Sequence, residues 1–97
     1  MRKRARTDAN HRQIVEFFRS AGASVLDLSR VGDGCPDLLV GYQGNTVLVE
    51  IKDGSKAPSK QQHTDLQLLF MRMWRGGPVS TIRDIEGAQT LLRALSN

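Results

Sequence analysis

Internal disulfides are excluded at once, because the 97-residue chain holds a single cysteine, Cys35. One thiol and two histidines also leave no Cys/His cluster of the kind that binds zinc. No stretch approaches the roughly 18–20 consecutive apolar residues of a membrane span. The basic opening, Met1–Arg6, runs into polar residues rather than the apolar segment of a secretory signal. These absences point to a reducing cytoplasm, the host-cell cytoplasm if the chain is phage-encoded. There is no repeat, no low-complexity block and no internal linker.

The chain that remains is ordinary in balance: 39% hydrophobic and 25% charged residues. That is too apolar for wholesale disorder and right for one globular domain. At this length folding buries only about 60–70% of the unfolded surface, so the core is thin and pairing with another copy is favoured. The formal net charge of +4 invites a nucleic-acid partner, but it is concentrated. Arg2, Lys3, Arg4 and Arg6 account for all of it, leaving ten basic against ten acidic residues in the body. Residues 1–7 therefore form a basic tail and 8–97 a single domain.

Asp8 is a candidate N-cap for a first helix over 9–21, with Ile14, Phe17, Phe18 and Ala21 at helical spacing and Gly22 as the stop. A short strand is expected over 24–29, then a turn-rich loop, Val31-Gly-Asp-Gly-Cys-Pro36. Asp37–Gly41 and Thr46–Lys52 read as strands joined by a hairpin at Gln43-Gly-Asn45. A polar loop over 53–61 leads to a second helix over 64–74. Thr64 and Gln67 have capping-box spacing there, with Ser59 and Gln62 as an earlier alternative. A strand over 79–83 and a last helix capped by Asp84 complete the order α-β-β-β-α-β-α. Ile85, Ala88, Leu91, Leu92 and Leu95 line the apolar face of that helix.

The chemistry gathers at one strand end. Side chains alternate along a strand, so Glu50 and Lys52 share a face while Val47, Val49 and Ile51 take the other. Leu48 keeps part of the Glu50 face apolar, placing the charged pair at a boundary rather than deep in the core. With the hairpin centred near Gly44, position 37 pairs near position 51, which brings Asp37 beside Glu50 and Lys52. Two neighbouring carboxylates repel, and a divalent cation relieves that repulsion. Asp37, Glu50 and the Ile51 carbonyl make a partial shell for Mg²⁺, which prefers oxygen and keeps several waters. Lys52 is then placed to orient or help deprotonate an attacking water, or to neutralise charge on a phosphate. A bare E-x-K recurs by chance, and a surface Glu–Lys pair with an unrelated Asp in a turn is the competing reading.

Gly34-Cys-Pro-Asp37, then Leu38-Leu39-Val40 and Glu50-Ile-Lys52, resembles the PD-(D/E)xK nuclease superfamily. The chain is most similar to the VRR-NUC (virus-type replication-repair nuclease) family, in its short stand-alone phage and bacterial members. The resemblance spans almost the whole chain: Thr7-Asp-Ala-Asn10, Gly22-Ala-Ser-Val25, Val31 to Gly41, Val49-Glu-Ile-Lys-Asp-Gly54, Trp74-Arg-Gly76 and Pro78-Val79. It implies an α/β, restriction-endonuclease-like α-β-β-β-α-β core: a small mixed sheet flanked by helices, with an extra C-terminal helix here. It also implies Mg²⁺- or Mn²⁺-dependent DNA cleavage in DNA repair. Asp37 and Glu50 carry over as metal ligands and Lys52 as the catalytic lysine. The acidic residue of the first helix matches Asp8 best, beside Asn10, with Glu16 competing and a plain N-cap as the other role for Asp8. Gln67 fits the glutamine typical of the second helix, although His63-Thr64-Asp65 departs from the usual Leu-Thr-Pro start. Stand-alone members resemble homodimeric Holliday-junction resolvases, whose two-fold symmetry suits paired nicks on a four-way junction. A flap or nicking nuclease, or a non-catalytic DNA-binding module on the same fold, are the alternatives.

Lys56 and Lys60, after the active strand, are candidates for the DNA backbone, with Arg4 in the tail and Arg12 and Arg19 on the first helix. His63 is expected to be solvated. Cys35 lacks a histidine placed to activate it and is read as a small packed side chain. Phe70, Met71 and Trp74 share helical spacing and suit core or dimer packing. No base-reading helix stands out.

Overall fold

A computed structural model describes residues 7–97. Arg4 and the rest of the basic tail before Thr7 lie outside the described residues. Helix α1 (His11–Ser20) buries Ile14, Val15 and Phe18. It begins two residues later than the sequence suggests, and its N-cap is Asn10 rather than Asp8. The Asn10 side chain makes no cap bond, because its amide is committed to the sheet.

Four strands follow in the order β1-β2-β3-β4: β1 (Ser24–Asp27), β2 (Leu38–Tyr42), β3 (Asn45–Ile51) and β4 (Ser80–Ile82). The first three form an antiparallel meander, and β4 lies parallel to β3. The sheet is therefore mixed. β1 stops two residues short of the expected end, where the Asp27 carboxylate accepts the Ser29 N–H at 2.9 Å and turns the chain. The parallel β3–β4 pair requires a crossover. It contains a 3-10 turn at Pro58–Lys60 and helix α2 (Asp65–Met73). Helix α3 (Ile85–Leu95) ends the order, with the Asp84 carboxylate accepting from Gly87 N as its cap. The α-β-β-β-α-β-α order expected from the sequence is the order observed.

Gln43 and Gly44, with φ of 48° and 82°, form a two-residue hairpin loop between Tyr42 and Asn45. Two left-handed residues suit the twist of the flanking strands. The turn therefore centres between 43 and 44, not on Gly44, and Leu38 faces Val49. The expected pairing of 37 near 51 is off by one residue.

The core lies on one face of the sheet. Leu38, Val40, Val49, Ile51 and Ile82 pack there beneath Ile14 and Phe18 of α1 and Ala88 and Leu92 of α3. Alternation sends Glu50 and Lys52 to the opposite face, where the first turn of α2 meets them. Helix α2 buries no residue of its own. Among the described residues no helix is long and apolar enough to cross a membrane.

Candidate active site

Three segments distant in sequence converge at one end of the sheet. Asp37 precedes β2, Glu50 and Ile51 end β3 with Lys52 just beyond, and Gln67 comes from α2. Asp37 Oδ2 accepts the Ile51 N–H at 2.7 Å, which pins the carboxylate to the neighbouring strand. Gln67 is the link between the charged pair. Its Nε2 donates to Glu50 Oε2 at 2.9 Å, and its Oε1 accepts from Lys52 Nζ at 2.7 Å. Lys52 Nζ itself stands 3.9 Å from Glu50 Oε2.

The orientation of Gln67 follows from the local sequence. Thr64 and Gln67 form the capping box: Thr64 Oγ1 accepts from Gln67 N, and Gln67 Oε1 accepts from Thr64 N at 2.9 Å. The same carbonyl oxygen thus serves the helix cap and the lysine. Gly34, at φ 81°, lets the loop before Asp37 lie directly against this turn. A Cβ there would stand 2.5 Å from the Leu66 carbonyl carbon and 2.9 Å from Gln67 N.

Glu50 is 4% exposed and Lys52 7%. Both are buried, not at the boundary expected from the strand alone. Burial of charge is tolerable because Gln67 satisfies both partners. It still leaves its mark: burial first, then the charge of adjacent Asp37, push the Glu50 carboxyl up to about 9. Burial also raises Asp37, against the lowering effect of the Ile51 N–H. Burial and the proximity of the two carboxyl groups thus both favour the protonated form of Glu50.

Among the first-helix candidates, Asp8 is the one whose charge reaches the site, raising both Asp37 and Glu50. Asn10 instead staples the strand ends: its Nδ2 donates to the carbonyls of Lys52 and Arg83, each at 3.1 Å. Its Oδ1 is buried with no hydrogen-bond partner among the described residues. Glu16 is removed from the site, paired with Arg12 at 3.0 Å on the exposed side of α1. Lys56 and Lys60 are exposed on the connection after β3. His63 is not solvated as expected; its Nε2 lies 3.0 Å from Thr81 Oγ1. Burial, then the charges of Lys52 and Arg83, push its pKa down. Cys35 is half-buried, and burial followed by the charges of Glu50 and Asp37 raises its thiol, which suits the inert reading.

Sequence reasoning missed His11. It is 7% exposed, with Nε2 2.9 Å from Asp27 Oδ2 and Nδ1 4.0 Å from Asp37 Oδ1. The Nδ1 atom has no hydrogen-bond partner among the described residues. The signal was present: His11 sits one turn before Ile14 and Val15 on the buried stripe of α1, and Asp27 alternates with buried Val25. Burial raises the Asp27 carboxyl, but hydrogen bonds from Ser29 and His11 together outweigh it and hold the group at about 2.

Among the described residues no group of three or more His, Cys, Asp or Glu side chains is placed to hold a metal ion. Two carboxylates leave the remaining positions of an octahedral shell to water and backbone, the arrangement Mg²⁺ favours. Burial, then the charge of Asp37, lifts Glu50, and a cation between the two carboxylates would offset that second contribution. Comparison of the chain with models of protein families, with curated proteins and with solved structures found no match.

Proposed function

We propose that this chain is a metal-dependent endonuclease that hydrolyses phosphodiesters in branched DNA, as a homodimer acting on four-way junctions. This reading includes membership of the VRR-NUC family and a restriction-endonuclease-like topology. The observation that carries it is the convergence of half-buried Asp37 on buried Glu50 and Lys52, with Gln67 hydrogen-bonded to both Glu50 and Lys52. A pure binding module has no use for a desolvated lysine held beside paired carboxylates.

Asp37, Glu50 and the Ile51 carbonyl would hold Mg²⁺ or Mn²⁺, with Asp8 as the outer carboxylate. The cation would supply Lewis-acid stabilisation of charge on the phosphate. Lys52 offers its remaining N–H donors to a phosphate oxygen or to the attacking water. Gln67 fixes the ammonium by occupying one donor, and it holds Glu50 apart from Lys52 at 3.9 Å rather than in a closed pair. Lys56 and Lys60 are exposed for contact with the DNA backbone.

The test is incubation of the purified protein with a labelled four-way junction and a linear duplex in Mg²⁺, Mn²⁺ and EDTA. Symmetric metal-dependent nicks in the junction are expected, lost in Lys52→Ala while DNA affinity is kept. Cutting of flaps or linear DNA instead would discard the resolvase and keep the nuclease. Binding without cleavage under every metal would overturn the enzymatic reading.

A further inference from the structure

Helix α2 presents its apolar stripe to solvent. Leu66, Leu69, Phe70 and Met73 recur at i, i+3, i+4 and i+7, the spacing of a face built to be covered. Yet Leu66 is 55% exposed, Leu69 52% and Met73 62%, with Leu68 and Trp74 also open. Leu66, Leu69, Met73 and Trp74 together leave on the order of 400 Å² of apolar surface in water, within the range of the largest patch on a monomer and about half of a stable dimer's roughly 800 Å² per partner. The helix is held to its own domain through its first turn: the Gly34 contact, the capping box and the Gln67 bonds.

The charges beside the stripe fit the same surface on another copy. Asp65 and Arg72 stand two turns apart on one flank, near opposite ends of the helix. Neither has an ion-pair partner among the described residues. In an antiparallel pair related by a two-fold axis near Leu69, the acidic end of each helix meets the basic end of the other, twice over. A stripe with one sign of charge throughout would repel itself in that arrangement.

We infer that α2 is the dimer interface, packing antiparallel on α2 of a second copy of this chain. The inference rests on the homodimer reading above and names its surface. Two active sites are then joined back to back through the helices that carry Gln67.

Hydrodynamic mass by light scattering, read across a dilution series, tests this without reference to catalysis. The wild type is expected to be a dimer, and Leu69→Arg, at an exposed position, to weaken it by at least about 30-fold, the cost of a hot spot. Asp65→Arg and Arg72→Asp should each weaken the dimer, and the double exchange should restore it. In a Cys35→Ser background, Leu69→Cys should form a disulfide-linked dimer under mild oxidant. A wild type that stays monomeric at every concentration overturns both this inference and the homodimer reading. A dimer indifferent to Leu69→Arg and to the charge exchanges overturns the inference alone, because the copies then meet elsewhere. If the junction is cleaved, Leu69→Arg should lower turnover at dilute enzyme, and addition of fresh variant to high concentration should recover it.

Discussion

Gly34→Ala should disable the site from a position that carries no functional group. Glycine is required there twice. At φ 81° an alanine pays the left-handed penalty of about 1–2 kcal/mol. Its Cβ would also stand 2.5 Å from the Leu66 carbonyl carbon, whereas non-bonded carbons settle near 3.5–4.0 Å, so the first turn of α2 must retreat by about 1 Å. The Gln67 bonds of 2.7 and 2.9 Å cannot survive that retreat within hydrogen-bonding distance. A displacement of that size costs on the order of 100-fold in rate. Gly22→Ala separates the two effects. Gly22 has φ 94° but nothing within 4 Å of its added Cβ, so it shares the strain and lacks the collision. Both variants should melt roughly 5–15 °C below wild type, by about 4–8 °C per kcal/mol for a domain of this size. Only Gly34→Ala should lose metal-dependent cleavage when assayed well below its melting point. Equal activity in the two variants would refute the argument that loop contact sets Gln67.

Asp37→Ala or Glu50→Ala should abolish cleavage in Mg²⁺ and Mn²⁺, and substantial residual cutting by either purified variant would remove that carboxylate from its role. His11→Ala should raise the titration midpoint of Asp27 from about 2 toward 3.8, read by NMR of its carboxyl, since the 2.9 Å contact that helps hold it down is gone; an unmoved midpoint would show that Ser29 suffices. In EDTA the folded protein keeps a proton on Glu50 that the unfolded chain releases above pH 4.5. Stability from this group should therefore fall as pH rises from 4.5 toward 9, by at most about 1.4 kcal/mol per pH unit. Thermal melts of Glu50→Gln should show a flatter dependence than wild type, and identical slopes would mean Glu50 is ionised throughout.

Much of the frame was legible because local rules and tertiary packing agree. The β-branched run over 46–51 and the apolar stripes of the first and last helices each specify one outcome, and of the two capping boxes offered it is Thr64–Gln67 that forms. The convergence of Asp37, Glu50 and Lys52 was legible through hairpin geometry, although register was off by one, because a two-residue left-handed loop is tighter than a turn centred on Gly44. The start of α1 was misread because Asp8 alone was taken as the cap, whereas Asn10 is an equally good cap type whose amide is held by carbonyls 42 and 73 positions away, which no local pattern encodes. The burial of Glu50 and Lys52 was hidden for the same reason, since it depends on where α2 lands. His11 was passed over because a lone histidine on an apolar stripe offers no partner in sequence, and its partner Asp27 lies 16 residues on.

The Asn10 staple has a consequence for the order in which the molecule is made. The β1–β2–β3 meander needs only neighbouring segments and can pair as soon as they leave the ribosome. The parallel partner β4 must wait for the crossover, and one of the two carbonyls gripped by Asn10 belongs to Arg83. The first-helix end and β4 therefore close on each other only after Arg83 has been made. A nascent chain can have a hairpin and a helix long before it has this clamp, so the sheet end that carries Lys52 is among the last parts of the fold to be secured.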